Sequence, residues 1–370
     1  MNNITIPKHR IIAIYLPQFH PIKENDEWWG KGFTEWRNVV MSKPHFPGHY
    51  QPHLPADLGF YDLRVPEVRI EQAKMARDYG IFGFCYYHYW FNGHLLLERP
   101  LEDMLNSGKP DFPFMICWAN ENWTKAWDGG EKEILIKQNY SEEDDINHIH
   151  YLMKFFKDPR YIRINDKPVI CIYRSSSIPK SENTIKLWQN EAAKDGLELY
   201  ICRFESFGES GNTYNVNGID ASIDFPPHKD NEYKKRYKNK DNIKRVINKI
   251  FRLLTSYNLF HDGINYKKYV QFQMKRNINK TYKWYPCVTP MWDNSPRRKK
   301  NTFFILNNST PKLFGKWLQH IVQNFKPYSN EENFIFINAW NEWAEGNHLE
   351  PDMKWGNKYL LEIKNLLINK

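Results

Sequence analysis

Cysteine is scarce and unpatterned. The chain of 370 residues has five, Cys85, Cys117, Cys171, Cys202 and Cys287, each inside an apolar or aromatic run and none in a CxxC or Cys/His ligand spacing. This excludes a disulfide framework and a zinc knuckle and marks the thiols as reduced core residues. Long hydrophobic runs are missing too. The apolar stretch near the start covers only Ile11 to Leu16 and lacks a small-residue cleavage site, so neither a secretory signal nor a membrane span is expected, and the reading is cytoplasmic. Several catalytic signatures are absent: no GxSxG nucleophile elbow, no P-loop or GxGxxG, and no DxD of the kind that holds a sugar nucleotide through a metal. His20, His88 and His348 stand outside HxH and HxxxH spacings, so no metal is expected at them and no cofactor is implied.

Aromatic residues are abundant, at 16% of the chain with 14 Trp and 22 Tyr, in a composition that is otherwise globular. Eight short runs have strand composition: "IIAIYLPQ", "IFGFCYYHYW", "FMICWANE", "PVICIYR", "LYICRFES", "DASIDF", "YPCVTPMWD" and "FIFINAWNEW". Most are apolar throughout, as strands covered on both faces are. Helical grammar lies between many of them. "RVPEVRIEQAKMARDYG" places Val65, Val68, Ile70, Ala73 and Ala76 near helical spacing before Gly80. Ser141 and Ser181 read as N-caps of two further helices. Eight alternations of strand and helix point to an α/β fold, a (β/α)8 TIM barrel occupying residues 1–370 as one domain. The fifth and sixth connections lack a clear helix of normal length.

Two segments break the rhythm. Residues 19–63 form a long first βα loop rich in Pro, His and Trp, including Trp28, and a loop of that length and aromatic content reads as functional. Residues 229–283 hold sixteen Lys and Arg against four Asp and Glu, a surplus of +12 in a chain of net +9. Within this basic, largely helical insertion Ile243, Val246, Ile247, Ile250, Leu253 and Leu254 share a face. Three readings stay open for it: a solvated helix packed on the barrel, peripheral contact with an anionic membrane or lipid-linked or nucleotide-linked substrate, and nucleic acid. No nucleic-acid motif accompanies the charge, so nucleic acid is not expected as a partner. Nothing in the sequence sets an oligomeric state.

In parallel barrels the active site forms where the strands end. The first candidate strand runs into Gln18 and His20, the second into Tyr86, Tyr87 and His88, and the third into Trp118, Asn120, Glu121 and Trp123. The fourth ends at Arg174, the fifth at Glu205, the seventh at Trp292 and Asp293, and the eighth at Trp340, Asn341, Glu342, Trp343 and Glu345. Carboxylates among indoles and phenols suit sugars, whose C–H faces stack on rings and whose hydroxyls take polar partners. Glycosidic chemistry needs one carboxylic acid at the bridging oxygen and a second carboxylate near the anomeric carbon. Glu342 and Glu345, three residues apart, are the best pair for it. The substrate read from this is a glycan or an activated sugar.

The motifs "YLPQFHPIKENDEWWGKGFTEW", "HYQPHLPADLGFYDLR", "GFCYYHYWFNG", "WANENWT" and "NAWNEWAEGNHLEP" together resemble the WbsX-like family of bacterial lipopolysaccharide and O-antigen loci. Its domain is similar to glycoside hydrolase family 99. The resemblance runs from about Ile11 to about Leu366 and implies a (β/α)8 barrel with retaining glycosyl transfer in cell-surface polysaccharide synthesis. In family 99 one glutamate removes the proton from the sugar's own 2-hydroxyl, which attacks C1 to give a 1,2-anhydro sugar, and a second is general acid and then base. By resemblance these roles fall to Glu342 and Glu345. The hydrolases' glutamate motif of the middle strands is absent, and "WANENW" stands in that region. Two alternatives are carried beside transfer: an endo-acting hydrolase of α-mannoside-like links, and a non-catalytic glycan-binding barrel.

Overall fold

A computed structural model describes residues 8–125, 130–205, 209, 211, 217–227, 242–255, 259–260, 264–298 and 303–368. Nine parallel strands form the central sheet: β1 (Arg10–Tyr15), β2 (Gly83–Phe91), β3 (Phe114–Trp118), β4 (Lys167–Ile172), β5 (Tyr200–Glu205), β6 (Ala221–Asp224), β7 (Trp284–Tyr285), β8 (Cys287–Val288) and β9 (Phe334–Ile337). β7 and β8 are halves of one stave interrupted at Pro286, which has no N–H to give a ladder. The first half pairs with β6 and the second with β9, while β9 pairs back onto β1. The Pro286 carbonyl accepts from Phe336 N at 2.8 Å and bridges the gap. Eight staves therefore close the (β/α)8 barrel that the sequence pattern predicts.

Helices cover the outside: Pro66–Asp78, Arg99–Ser107, Glu142–Phe156, Ser181–Lys194, Tyr266–Met274, Pro311–Asn324 and Lys358–Ile368. The helix from Glu142 is capped as expected, with the Ser141 side chain accepting from Asp144 N and four acidic residues in its first turn. Ser181 is not a cap. It is the first helical residue, and the cap position belongs to Lys180, whose side chain makes no capping bond. In Pro66–Asp78 the buried stripe is Arg69, Gln72, Ala73 and Ala76, and Val65 and Ile70 are exposed. Gln72 takes an inward place because it accepts from Tyr15 Oη at 2.7 Å and donates to Glu350 at 2.6 Å. Gly80, at φ +87°, ends this helix as a C′ glycine.

Side-chain period two sorts every stave into a lumen side and a helix side. Cys85, Cys117, Cys171, Cys202 and Cys287 are all buried and free, with Cys117, Cys171 and Cys202 in register across β3, β4 and β5. They fill the barrel interior as small apolar groups. On β2 the same alternation sends Tyr87 and Tyr89 up the lumen and Phe84, Tyr86, His88 and Trp90 out against helices.

The basic segment is helical over Asn242–Thr255 and Tyr266–Met274, and residues 228–241 lie outside the described part. The apolar face expected on the first helix is present but does not pack on the barrel: Leu253 and Leu254 are 81% and 80% exposed, with Val246 and Ile250 above half. No helix among the described residues is long and apolar enough to cross a membrane.

Candidate active site

The C-terminal mouth of the barrel opens into a cavity of about 460 Å³. Its floor holds Glu35, Glu342 and Glu345 around the guanidinium of Arg297. Arg297 forks onto Glu35 through Nε at 2.8 Å and Nη2 at 2.7 Å, donates from Nη2 to Glu342 at 2.7 Å, and reaches Glu345 through Nη1 at 3.1 Å. Gln18 Nε2 donates to Glu342 at 3.2 Å and to Glu35. Four separate segments meet here: the end of β1, the short helix Trp36–Met41 that Glu35 precedes, the turn Ser295–Arg297 after β8, and the turn Trp343–Glu345 after β9.

Three carboxylates share one cation in a buried place, so they cannot all stay ionised cheaply. Burial pushes Glu342 well above the usual carboxylate range against the pull of Arg297, with Glu35 and Glu345 adding to the push. Glu345 is raised as well, by burial and by Glu35, again against Arg297. Burial would lower Arg297, yet the three carboxylates hold it well above its ordinary value. Burial and mutual repulsion thus favour protonation within the pair Glu342 and Glu345, while Arg297 opposes it.

Aromatic rings form the walls: Trp29, Tyr87, Tyr89, Trp123, Trp292 and Phe304. Of the residues singled out in the sequence, Gln18, Tyr87, Glu121, Trp123, Trp292, Glu342 and Glu345 line this cavity. Trp28 stands at its edge, edge-on to Trp123 with centroids 5.9 Å apart. Asn120 and Arg174 line an adjoining hollow with Glu121 and Arg298, where Arg174 pairs with Glu121 at 2.8 Å and Asn120 clasps the Arg174 backbone.

The others lie away from the cavity. Tyr86, His88 and Trp118 are on the helix side of their strands, where His88 Nε2 meets His148 Nε2 at 3.0 Å and Trp118 packs on Trp188. His20 is buried and held neutral, its pKa down at about 4 through burial. Glu205 is buried and accepts from Tyr282 Oη at 2.6 Å and Gly211 N at 2.7 Å. Asp293 is bound by His49 at 2.6 Å and Gln51 at 2.7 Å and ties the first loop to the turn after β8. Trp340 packs on Phe84, Asn341 clasps the backbone of Leu16, and Trp343 lies flat on His348 and donates to Glu350 at 2.7 Å. Neither Trp340 nor Trp343 faces the cavity, so their indoles support the glutamate loop from beneath.

Residues that the sequence did not single out include Glu35, Arg297, Arg298, Tyr89, Trp29 and Phe304. Glu35 and Trp29 sit within the first loop in "EWWGKGFTEW", and Arg297 opens the run "RRKK"; chemistry-bearing residues in both were visible, but only the fold brings them to one point.

A closed (β/α)8 barrel whose mouth gathers carboxylates, one arginine and aromatic walls defines a carbohydrate-active barrel. The chain belongs to the glycosyltransferase WbsX family, whose model matches residues 11–363. Protein WxcX of Xanthomonas campestris pv. campestris, itself uncharacterised, is 40% identical over 352 residues, which are 95% of this chain and 48% of that protein. The chain therefore spans about half the length of the curated relative it matches. Among solved structures, a GH99 endo-α-mannosidase from Bacteroides thetaiotaomicron superposes with TM-score 0.58 at 14% identity, over 99% of this chain and 98% of that one. A glycoside hydrolase-like protein gives TM-score 0.60, also at 14% identity, over 99% and 96%. At that identity the likeness concerns the fold.

Proposed function

We propose that the chain catalyses retaining glycosyl transfer in the synthesis of a bacterial cell-surface polysaccharide, of the lipopolysaccharide O-antigen kind, with Glu342 and Glu345 as the working pair. One observation carries this reading: both carboxylates face the same aromatic-walled cavity and touch one guanidinium. The terminal nitrogens of a guanidinium lie about 2.3 Å apart, so the facing oxygens stand no more than about 8 Å from each other, within the span glycosidic chemistry uses.

The division of labour follows the family resemblance. Glu342, fixed by Arg297 and Gln18, takes the proton from the sugar's 2-hydroxyl as that oxygen attacks C1. The glycosidic C–O bond breaks, and Glu345 gives its proton to the leaving oxygen. An acceptor hydroxyl, deprotonated by Glu345, then opens the 1,2-anhydro ring at C1, and Glu342 returns its proton to O2. Net configuration is retained. The 2-hydroxyl must lie trans to the leaving group, which favours manno-configured sugars. Burial raises Glu345, as an acid requires, and raises Glu342 at least as much, so the base role of Glu342 depends on Arg297 and Gln18 stabilising its ionised form.

The fold likeness to the endo-α-mannosidase favours a second reading, hydrolysis of α-mannoside-like links. Release of reducing sugar by the purified protein with no donor present supports hydrolysis, whereas strict dependence on a nucleotide- or lipid-linked donor supports transfer. A Glu342→Gln variant that still built normal polysaccharide in a deletion strain would remove Glu342 from the mechanism. A non-catalytic glycan-binding barrel fits less well, because a buried cluster of three carboxylates on one cation costs stability that binding alone does not require.

The helix Asn242–Thr255 belongs to the same proposal. Its exposed Leu253 and Leu254 on a segment of strong positive surplus suit the inner, anionic face of a membrane, where lipid-linked sugars are built. The barrel then works as a cytoplasmic enzyme docked peripherally beside its substrate.

A further inference from the structure

Under the glutamate loop, about one residue layer from the cavity, three side chains converge that no step above uses. His53 comes from the first loop; His348 and Asp352 come from the segment after β9, and all three are buried. His53 Nδ1 lies 3.0 Å from His348 Nε2, which lies 3.9 Å from Asp352 Oδ2, and the three atoms fall within 4.8 Å of one another. Donors around a tetrahedral ion at about 2.0–2.1 Å stand about 3.3 Å apart, so the two imidazole nitrogens are already near that spacing and Asp352 Oδ2 stands wider than it. The second layer is also suitable. His348 Nδ1 contacts the Glu350 carbonyl at 2.9 Å, and a carbonyl only accepts, so Nδ1 carries the proton and Nε2 presents a bare lone pair to the cluster. Asp352 Oδ1 accepts from Lys354 N at 3.0 Å and Trp355 N at 2.5 Å, which fixes the carboxylate, and the Tyr50 hydroxyl lies within interaction range of the same group. Trp343 stacks on the His348 ring at 3.7 Å and Tyr50 on the His53 ring at 4.2 Å, so both imidazoles are held in plane. A cavity of about 60 Å³ borders His53.

We propose that His53, His348 and Asp352 form a structural site for a divalent ion of the zinc class, with a fourth position open to water. Two imidazole nitrogens and one carboxylate oxygen match zinc's preferences. The ion pins the first loop, which carries Glu35, to the segment that follows Glu342 and Glu345. No compact sequence motif announces the site, because His53 lies 295 residues from His348. In place of the ion, a plain hydrogen bond between His53 and His348 is the competing explanation of the 3.0 Å contact.

The test uses the full chain, with any purification tag removed, dialysed against chelator and titrated with Co²⁺ and then Zn²⁺. One Co²⁺ per chain is expected, with the visible d–d absorption of a low-coordinate site, displaced by one Zn²⁺. Asp352→Asn, which keeps shape, and His53→Ala are expected to weaken binding at least about 100-fold, beyond the effect of a second-layer change. Glu342→Gln should leave it intact. Absence of the d–d band from the wild-type protein, or equal binding by both ligand variants, overturns the site. Metal content and spectrum are read without any glycan, so this outcome stands apart from the assignment of the glycosyl chemistry.

Discussion

Arg297 Nη2 donates to Glu342 at 2.7 Å while its Nε and Nη2 fork onto Glu35, so one cation sets the charge of the whole floor. Removing it takes away the guanidinium that all three buried carboxylates share and leaves Glu345 the weaker pull of Arg298. In Arg297→Ala the pKa values of Glu342 and Glu345 rise further, because the main pull that opposed burial is gone. A general base must be ionised, so the acidic limb of the pH–rate profile is expected to move to higher pH, with turnover at pH 7 down about 100-fold or more. An unchanged limb would separate Arg297 from the titration.

Glu342→Gln and Glu345→Gln should each lose about 10²–10⁴ in kcat while the protein stays folded. Each substitution relieves like-charge repulsion on the floor, so melting temperatures are expected to equal or exceed that of the wild type. Calorimetry beside single-turnover assays checks both halves. A loss of activity that tracked a loss of fold would make the glutamates structural.

Glu350 offers a stability test. Burial lifts its pKa to about 7, against hydrogen bonds from Trp343, Gln72 and Tyr61. A carboxyl raised above its unfolded value favours the folded state at low pH, and that advantage is lost as pH rises from the unfolded pKa, near 4.5, through the folded one. Between pH 5 and 8 wild-type stability should fall by about 2–3 kcal/mol through this group. Glu350→Gln is less stable at pH 5 because its amide meets three donors, and its deficit should narrow by that amount at pH 8. A constant deficit, measured by urea unfolding at both pH values, would count against it.

Two tryptophans separate support from contact. Trp343, buried on His348 and Glu350, should cost about 3–5 kcal/mol of stability as Trp343→Ala, whereas Trp123→Ala, on the cavity wall, should raise KM with little change in melting temperature.

Sequence and structure part company at the same place. The barrel was legible because continuously apolar runs and capped helices alternate, and the cavity pair was legible because Glu342 and Glu345 end the last strand. Consecutive residues on one strand were not separable without its pleat: Tyr87 reaches the cavity, but Tyr86 and His88 turn to the helices. Trp340 and Trp343, read from their neighbours as sugar platforms, lie beneath the loop because the chain turns sharply after β9. Glu35 and Arg297 belong to irregular segments 262 residues apart, and no local pattern couples them.

Docking of the basic helix is checked by flotation with vesicles of anionic and of neutral lipid. Wild-type protein should float with the anionic vesicles alone, and Leu253→Ser with Leu254→Ser should stay in solution with unchanged melting temperature, since both side chains face solvent. Equal flotation of the double variant would leave the charge, or nothing, as the anchor.

The central claim is the division of labour between Glu342 and Glu345, and a crystal structure of the Glu345→Gln variant soaked with an α-linked manno-configured disaccharide tests it most directly. The expected result puts the 2-hydroxyl within hydrogen-bond distance of the Glu342 carboxylate and the bridging oxygen beside the substituted side chain, with the ring against the wall of Trp123 and Trp292. A sugar seated in the Arg174 and Glu121 hollow, or one whose 2-hydroxyl points away from Glu342, would contradict it.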